Sequence, residues 1–266
     1  MSKVLPKQFQ HPYKFNEKYK KPVVYFSMEF AIDQSLKTYS GGLGFLAGSH
    51  MRSAYDQNQN VIGIGILWKK GYFDQTLNED FSMGIEFRDK NYHFLEETGI
   101  KFKIQINNHD VWVKAMFLNP KTFGTVPMFF LSTDVPENDF LAQSTTHRLY
   151  DYEPKAKIAS TMVLGLGGAQ LLEELNNEPD VYHINEAHAL SVVFHLYKKF
   201  GSVAKVKEKM VFTTHTPEEA GNEKHDINLL SEMSFFDGLS LEEVRKVTGI
   251  KDNVFNHSLV ALRLSH

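Results

Sequence analysis

The chain has 266 residues, of which 42% are hydrophobic and 23% charged, and its formal net charge is −3. This length can bury a sizeable core in one large domain or two small ones. The weak charge gives no reason to expect nucleic acid or an anionic membrane as a partner, and the absence of cysteine excludes disulfides and thiolate chemistry. The first residues lack the apolar core of a secretory signal, and no apolar run is long enough to cross a bilayer. We therefore expect a soluble, cytoplasmic protein.

Strand and helix patterns alternate along the chain and predict an α/β fold with a mainly parallel sheet. β-branched and aromatic runs predict strands at Val23–Met28, Val61–Trp68, Pro127–Ser132, Val181–Ile184 and Met210–His215. Helical periodicity predicts helices through Phe45 to Tyr55, from Lys155 to Leu175, near His188–Phe200 and over Asn256–Leu264, and a capping box at Ser240–Glu243 predicts one more. Lys101–Ile106 and Val111–Leu118 predict a β-hairpin insertion.

Three glycines, Gly165, Gly167 and Gly168, interrupt the helix predicted over Lys155–Leu175. Glycine lowers helix propensity, so the positions need a reason. We interpret them as points of close packing against a neighbouring element and not as ligand contacts.

The stretch Ser40-Gly41-Gly42-Leu43-Gly44 follows the first strand and opens the first helix. The first N–H groups of a helix lack intrahelical partners, and glycine lets a ligand approach the backbone. The arrangement is therefore a cradle for an anion such as phosphate, or for a sugar. Glu29, at the end of the strand, would face the same opening. Taken alone, such a turn is more typical of a tight connection between strand and helix.

Six blocks of sequence carry a more specific signal than the turn alone. They are Tyr25-Phe26-Ser27-Met28-Glu29-Phe30, Tyr39-Ser40-Gly41-Gly42-Leu43-Gly44-Phe45-Leu46-Ala47-Gly48, Gly63-Ile64-Gly65-Ile66-Leu67-Trp68 with Gly71-Tyr72-Phe73, Leu164-Gly165-Leu166-Gly167-Gly168-Ala169, His183-Ile184-Asn185-Glu186-Ala187-His188, and Phe212-Thr213-Thr214-His215-Thr216-Pro217. In this order the blocks resemble the α-glucan phosphorylases. The resemblance runs from about Val23 to Gly221 and is less clear over Phe81–Thr146.

The resemblance implies a Rossmann-like N-terminal domain of a two-domain glycosyltransferase fold, the GT-B type. It implies an enzyme that cleaves α-1,4-glucan with inorganic phosphate and gives glucose 1-phosphate. The family carries pyridoxal phosphate on a lysine of its second domain, which the resemblance does not cover. We therefore expect residues 1–266 to form the N-terminal domain, short of its last strand, with no bound pyridoxal phosphate and no phosphorolysis by this chain alone.

The resemblance also implies roles for residues on the phosphate and glucose side. The turn would bind phosphate or glucose, through the N–H groups of Gly42 and Leu43 within Gly41, Gly42, Leu43 and Gly44. Glu29 would line the phosphate side of the pocket. Ala31 stands where many longer members of the family have tyrosine, so a contact near the cofactor would differ.

Other motif residues are implied on the glucan side. His215 would be the catalytic residue that contacts the glucose, with its carbonyl near the developing positive charge, where fixed dipoles are most effective. Asn185, Glu186 and His188 would line the approach of the glucan acceptor.

Topology favours a meeting of these groups, because ligands of parallel α/β sheets bind beyond the carboxyl ends of the strands. Each residue also has a structural alternative. Glu29 could be a solvated strand end, Glu186 could stabilise the start of the following helix, His188 could lie on a helix surface, and His215 could fix a turn. The occurrence of all four residues in the order of the resembled family favours a site.

Two other kinds of centre lack support in the sequence. His183, Glu186 and His188 lie within six residues, but their spacing differs from H-E-x-x-H, so we expect no metal site. No G-x-S-x-G motif of a serine hydrolase occurs.

Two alternative functions remain open from sequence. The first is a glycogen or starch synthase-like transferase, which a Lys-x-Gly-Gly-Leu-Gly loop would favour; this chain has Thr38-Tyr39-Ser40 before its glycines, without that lysine. A non-catalytic glucan-binding module is the second alternative. We also expect self-association of the chain, through an unpaired sheet edge or an exposed cleft.

Overall fold

The computed structural model describes residues 4–216, 218 and 222–266. Pro217 of the last motif and Gly221, where the resemblance ends, lie outside the described residues. The strands are β1 Val23–Phe26, β2 Val61–Ile66, β3 Asp74–Leu77, β4 Met83–Glu86, β5 Glu96–Ile106, β6 His109–Leu118, β7 Met128–Ser132, β8 Val181–Asn185, β9 Met210–Thr213, β10 Lys224–Asp226 and β11 Val254–Asn256.

The helices are α1 Gly42–Asp56, α2 Pro120–Phe123, α3 Phe140–Ser144, α4 Pro154–Met162, α5 Gly168–Glu174, α6 Val192–Phe200, α7 Val203–Lys209, α8 Ile227–Glu232, α9 Leu241–Thr248 and α10 His257–Arg263. A π-helical segment, Val163–Gly167, joins α4 to α5, and short 3₁₀ turns lie at Lys7–Phe9, Glu17–Tyr19 and Ala187–Ala189. The predicted capping box is confirmed, because Ser240 and Glu243 hydrogen-bond reciprocally at the start of α9.

Seven strands form the central sheet in the order β5-β6-β7-β2-β1-β8-β9. The contiguous pairs from β7 to β9 are parallel, and β6 runs antiparallel to both of its neighbours. The prediction of a mixed α/β fold with a mainly parallel sheet is therefore confirmed. The β5–β6 hairpin is also confirmed, and it widens the central sheet at one edge.

Alternating side chains of the strands give the sheet two apolar faces. In β1, Tyr25 packs with Met51 of α1 on one face, while Val24 and Phe26 pack on the other with the helices α4 to α6. Because both faces are covered, the central strands are apolar throughout, as β2 shows with all six residues buried. Loops at the strand ends are left to carry the polar groups.

The glycines of the interrupted helix lie against the sheet and against the residue that precedes α6. A β-carbon built on Gly165 would lie 2.2 Å from Ser191 Oγ, and one built on Gly168 would lie 2.5 Å from Phe26 Cε1. Both distances are too short for any other residue, which supports the interpretation of these glycines as packing positions.

A second hairpin, β3–β4, did not show in the sequence pattern. It leaves Leu77, Met83 and Ile85 exposed at 69%, 65% and 54%. Within the described ranges, no helix is both long and apolar enough to cross a membrane.

Candidate functional site

A cleft of about 450 Å³ opens at the carboxyl ends of β8 and β9, beside the start of α1. Its lining includes Leu43, Tyr72, Tyr150, Glu186, His188 and Thr216. Residues from four of the quoted motifs therefore meet at one opening, as expected for a parallel α/β sheet.

The glycine turn presents its backbone to solvent at the start of α1. Apart from the neighbouring backbone, no atom of the described residues lies within 4 Å of a β-carbon built on Gly41 or Gly42. Among the described residues, the N–H groups of Gly42 and Leu43 have no hydrogen-bond acceptor, whereas the N–H of Phe45 donates to the Gly41 carbonyl. The two amides can therefore bind an anion or a hydroxyl oxygen at the positive end of the helix dipole.

Glu29 is almost fully buried, and its carboxylate is engaged by protein groups. Oε2 accepts hydrogen bonds from the N–H of Ser40 at 2.6 Å, from the N–H of Gly41 at 3.2 Å and from Ser40 Oγ at 3.1 Å. Oε1 accepts a hydrogen bond from the Tyr150 hydroxyl. The carboxylate thus fixes the turn and ties it to Tyr150, which also lines the cleft, so Glu29 is not the solvated strand end considered from sequence.

Tyr150 completes this contact from the loop before α4. Burial, and then the neighbouring Glu29 carboxylate, raise the pKa of its hydroxyl far above the ordinary value. The hydroxyl therefore remains a hydrogen-bond donor at any physiological pH.

Asn185 ends β8, Glu186 follows it, and both hold His215. The His215 Nε2 atom lies 2.9 Å from Asn185 Oδ1, and the His215 backbone N–H donates to Glu186 Oε1 at 2.6 Å. Thr214 Oγ1 also donates to Glu186 Oε2, at 2.9 Å. The segment after β9 is thereby attached to the end of β8.

The backbone of Glu186 is strained. Its φ of 57° and ψ of 178° lie close to a region that only glycine adopts readily. Strain of this kind persists where surrounding contacts enforce it, and here the buried carboxylate supplies those contacts.

His188 lies half-buried in the cleft, and one of its ring nitrogens lacks a protein partner among the described residues. Burial lowers the pKa of its imidazole, so the ring is neutral near pH 7. Within the described ranges its buried Nδ1 atom has no hydrogen-bond partner. A neutral ring with an unpartnered buried nitrogen can exchange a hydrogen bond with water or with a ligand hydroxyl that reaches it.

An ion pair not anticipated from sequence borders the same cleft. Lys157 Nζ lies 2.8 Å from Glu223 Oε1. Although burial opposes it, the hydrogen bond from Lys157 lowers the pKa of the Glu223 carboxyl. Neither residue belongs to a quoted motif, and an isolated lysine and glutamate far apart in sequence give no signal of pairing.

Aromatic side chains stand at the mouth of the cleft. Tyr72, from the quoted Gly71-Tyr72-Phe73, is partly exposed, and Tyr152 is 99% exposed. Flat aromatic faces beside polar groups suit a ligand with both apolar and hydroxyl-bearing faces.

A second hollow, of about 510 Å³, lies beside the β5–β6 turn. Its acidic groups are already engaged: Asp110 pairs with Lys103, Glu137 pairs with Lys101, and Asp139 and Glu153 cap the starts of α3 and α4. Among the described residues, the cleft at β8 and β9 has two backbone N–H groups without an acceptor and a buried imidazole nitrogen without a partner, so we take it as the candidate site.

The metal reading of His183, Glu186 and His188 is not supported by geometry. His183 Nε2 lies 2.7 Å from Thr213 Oγ1, and the Glu186 carboxylate is held by the segment after β9. In the part of the chain that the structure describes, no group of three or more potential ligands could hold a metal ion.

Comparison with known proteins found relatives that this chain matches over part of their length. An uncharacterized protein of Methanocaldococcus jannaschii is 47% identical over 92% of this chain and 46% of its own length. A maltodextrin phosphorylase of Thermococcus litoralis is 34% identical over 93% of this chain and 32% of its own length. A glycogen phosphorylase of Mycobacterium tuberculosis is 30% identical over 78% of this chain and 26% of its own length.

These comparisons confirm the resemblance drawn from the six motifs. The chain spans less than half the length of the curated relatives that it matches here. No protein-family model matches the chain.

Proposed function

This chain is a homologue of the α-glucan phosphorylases that matches part of their length, and we propose that it forms the substrate-facing part of such an enzyme. In this proposal residues 1–266 are the N-terminal domain of a GT-B fold. The reaction is phosphorolysis of α-1,4-glucan to glucose 1-phosphate, in the cytoplasm.

The observation that carries the proposal is the joining of open backbone amides and glucan-side motif residues at one cleft. The N–H groups of Gly42 and Leu43 bind the phosphate or the glucose, supported by the absence of any acceptor for them among the described residues. Gly41 and Gly44 shape the turn, and a β-carbon on Gly44 would lie 2.5 Å from Tyr39 Cβ. Glu29 holds the turn from the phosphate side.

On the glucan side, His215 contacts the reacting glucose, and its backbone carbonyl stabilises the positive charge that develops there. His188 exchanges a hydrogen bond with a glucan hydroxyl. Asn185 and Glu186 hold His215 in place, supported by their contacts of 2.9 Å and 2.6 Å.

We expect pyridoxal phosphate as a cofactor only because of the similarity to the phosphorylases. The lysine that lines the cleft, Lys157, donates to Glu223 and is poorly suited to hold the cofactor as a Schiff base. We therefore propose that in a complete enzyme another domain holds the cofactor, and that this chain contributes binding and orientation of the glucan and phosphate.

Titration calorimetry with maltooligosaccharides tests this function, with β-1,4-linked cellooligosaccharides as the matched control. We expect heat of binding for the α-linked series, and loss of it in His188→Ala. A phosphorolysis assay on the same preparation should show no turnover, because the proposal places the cofactor in another domain, and turnover by this chain alone would contradict that placement. Equal heats for both series, or no heat with either, would contradict the proposal.

A further inference from the structure

A line of hydrogen bonds, buried at its Ser27 end, crosses three strand ends beneath the candidate site and reaches the exposed His215. Ser27 follows β1, Asn185 ends β8, and His215 follows β9. Asn185 Nδ2 lies 3.1 Å from Ser27 Oγ, and Asn185 Oδ1 lies 2.9 Å from His215 Nε2. Ser27 and Asn185 are 0% and 1% exposed, so water does not compete for these groups.

The protons of this line can be counted from its buried end. Ser27 Oγ lies 2.8 Å from the Glu29 carbonyl oxygen. A carbonyl oxygen only accepts, so the single hydroxyl proton of Ser27 is directed there. Toward Asn185 the hydroxyl must then accept, which requires the amide nitrogen of Asn185 to face it.

The orientation of the Asn185 amide determines the state of the imidazole. With its nitrogen toward Ser27, the amide presents its oxygen to His215 Nε2. An amide oxygen only accepts, so Nε2 carries the proton, and in a neutral ring Nδ1 is the unprotonated nitrogen. The Glu186 carboxylate fixes the same residue through its backbone N–H.

We infer that Asn185, oriented by Ser27, is a positioning residue that holds neutral His215 in the tautomer with hydrogen on Nε2. The exposed imidazole then offers an acceptor, Nδ1, to a hydroxyl-bearing ligand. The tautomer follows from the hydrogen bonds alone; its use by a sugar rests on the proposed function.

Nitrogen-15 spectroscopy of the histidine side chains, at a pH where His215 is neutral, tests the inference. We expect a protonated-type resonance for Nε2 of His215 and an unprotonated-type resonance for Nδ1. Asn185→Asp retains an oxygen acceptor and should keep this pattern, whereas Asn185→Leu should lose it. A parent spectrum with the proton on Nδ1 would overturn the inference.

Ser27→Ala provides a variant with a smaller packing change, should Asn185→Leu fail to fold. Without the serine acceptor the amide can turn round, so we expect a mixture of the two His215 tautomers. Thr213→Val is the matched control. It removes Thr213 Oγ1, which lies 2.7 Å from His183 Nε2, and leaves the side-chain contacts of His215 intact. An unchanged His215 tautomer in Ser27→Ala would overturn the role given to this line.

Calorimetry separates this inference from the proposed function. If the parent binds maltooligosaccharides, Ser27→Ala should weaken binding roughly fivefold, about the worth of one ordinary hydrogen bond. If the parent shows the expected tautomer but binds no glucan, the proposed function fails and the positioning role of Asn185 stands. Unchanged affinity in a variant with mixed tautomers would show that the ligand does not use Nδ1.

Discussion

Glu186 offers a test in which alanine should be worse than glycine. Its φ of 57° and ψ of 178° are unfavourable for every residue with a β-carbon, and the strain costs about 1–3 kcal/mol. Glu186→Ala removes the carboxylate and keeps the strain. Glu186→Gly removes the carboxylate and relieves the strain.

The magnitudes follow from the hydrogen bonds that both variants remove. The carboxylate accepts hydrogen bonds from His215 N and Thr214 Oγ1, at 2.6 and 2.9 Å, and a bond to a charged group contributes about 1.5–3 kcal/mol. Thr214 and His215 are exposed, so water replaces part of each bond. We expect Glu186→Ala to lower the free energy of unfolding by roughly 2–3 kcal/mol and Glu186→Gly by about 1 kcal/mol less, after the greater chain entropy of glycine is included.

Urea denaturation of the two variants and the parent measures these differences. Lys207, exposed in α7, is the matched control position, where ordinary helical geometry should make alanine more stable than glycine by about 1 kcal/mol. If Glu186→Ala proves as stable as Glu186→Gly or more so, the backbone of Glu186 is not strained and the reasoning fails.

Three further outcomes are expected. Burial lowers the pKa of His257 to about 3 and that of His183 to about 4, below the 6.5 of an unfolded histidine. The contribution of these residues to stability should therefore be full above pH 6.5 and fall as the pH drops toward 4. A midpoint of thermal unfolding that stays constant over that range would contradict this. Gly42→Ala should fold normally, because among the described residues only the neighbouring backbone lies within 4 Å of its new β-carbon. Gly44→Ala should lose about 1–3 kcal/mol of unfolding free energy, because its β-carbon would lie 2.5 Å from Tyr39 Cβ; paired denaturation curves measure the difference, and equal curves would contradict it. Sedimentation at micromolar concentration should detect self-association of the chain, through the β9 edge of the central sheet or the exposed apolar face of β3–β4. A strictly monomeric profile would contradict the use of either surface.

The central sheet could be predicted because its strands carry a strong local signal. The six residues of β2 are all apolar or glycine, and the parallel pairs from β7 to β9 follow from strand–helix alternation. The β3–β4 hairpin could not be predicted, because Asp74–Leu77 and Met83–Glu86 have four residues each and too few apolar side chains to establish a period. Hairpins of this kind depend on the loops around them.

The candidate site was only partly accessible from sequence. The motif residues from Leu43 to Thr216 mark positions at strand ends, and the topology of a parallel sheet brings such positions together. Pairing across long distances left no local pattern, as with Lys157 and Glu223, or with Glu29 and Tyr150. Glu29 illustrates the limit: sequence placed it at the opening, and only the hydrogen bonds show that it holds the turn.

Mapping of backbone amide resonances tests the central claim most directly. A nitrogen-15-labelled chain would be titrated with a maltooligosaccharide, then with inorganic phosphate, and each amide shift followed. We expect saturable shifts that cluster at Gly42, Leu43, His188 and His215. Shifts confined to the hollow beside the β5–β6 turn, or no saturable shift with either ligand, would contradict it.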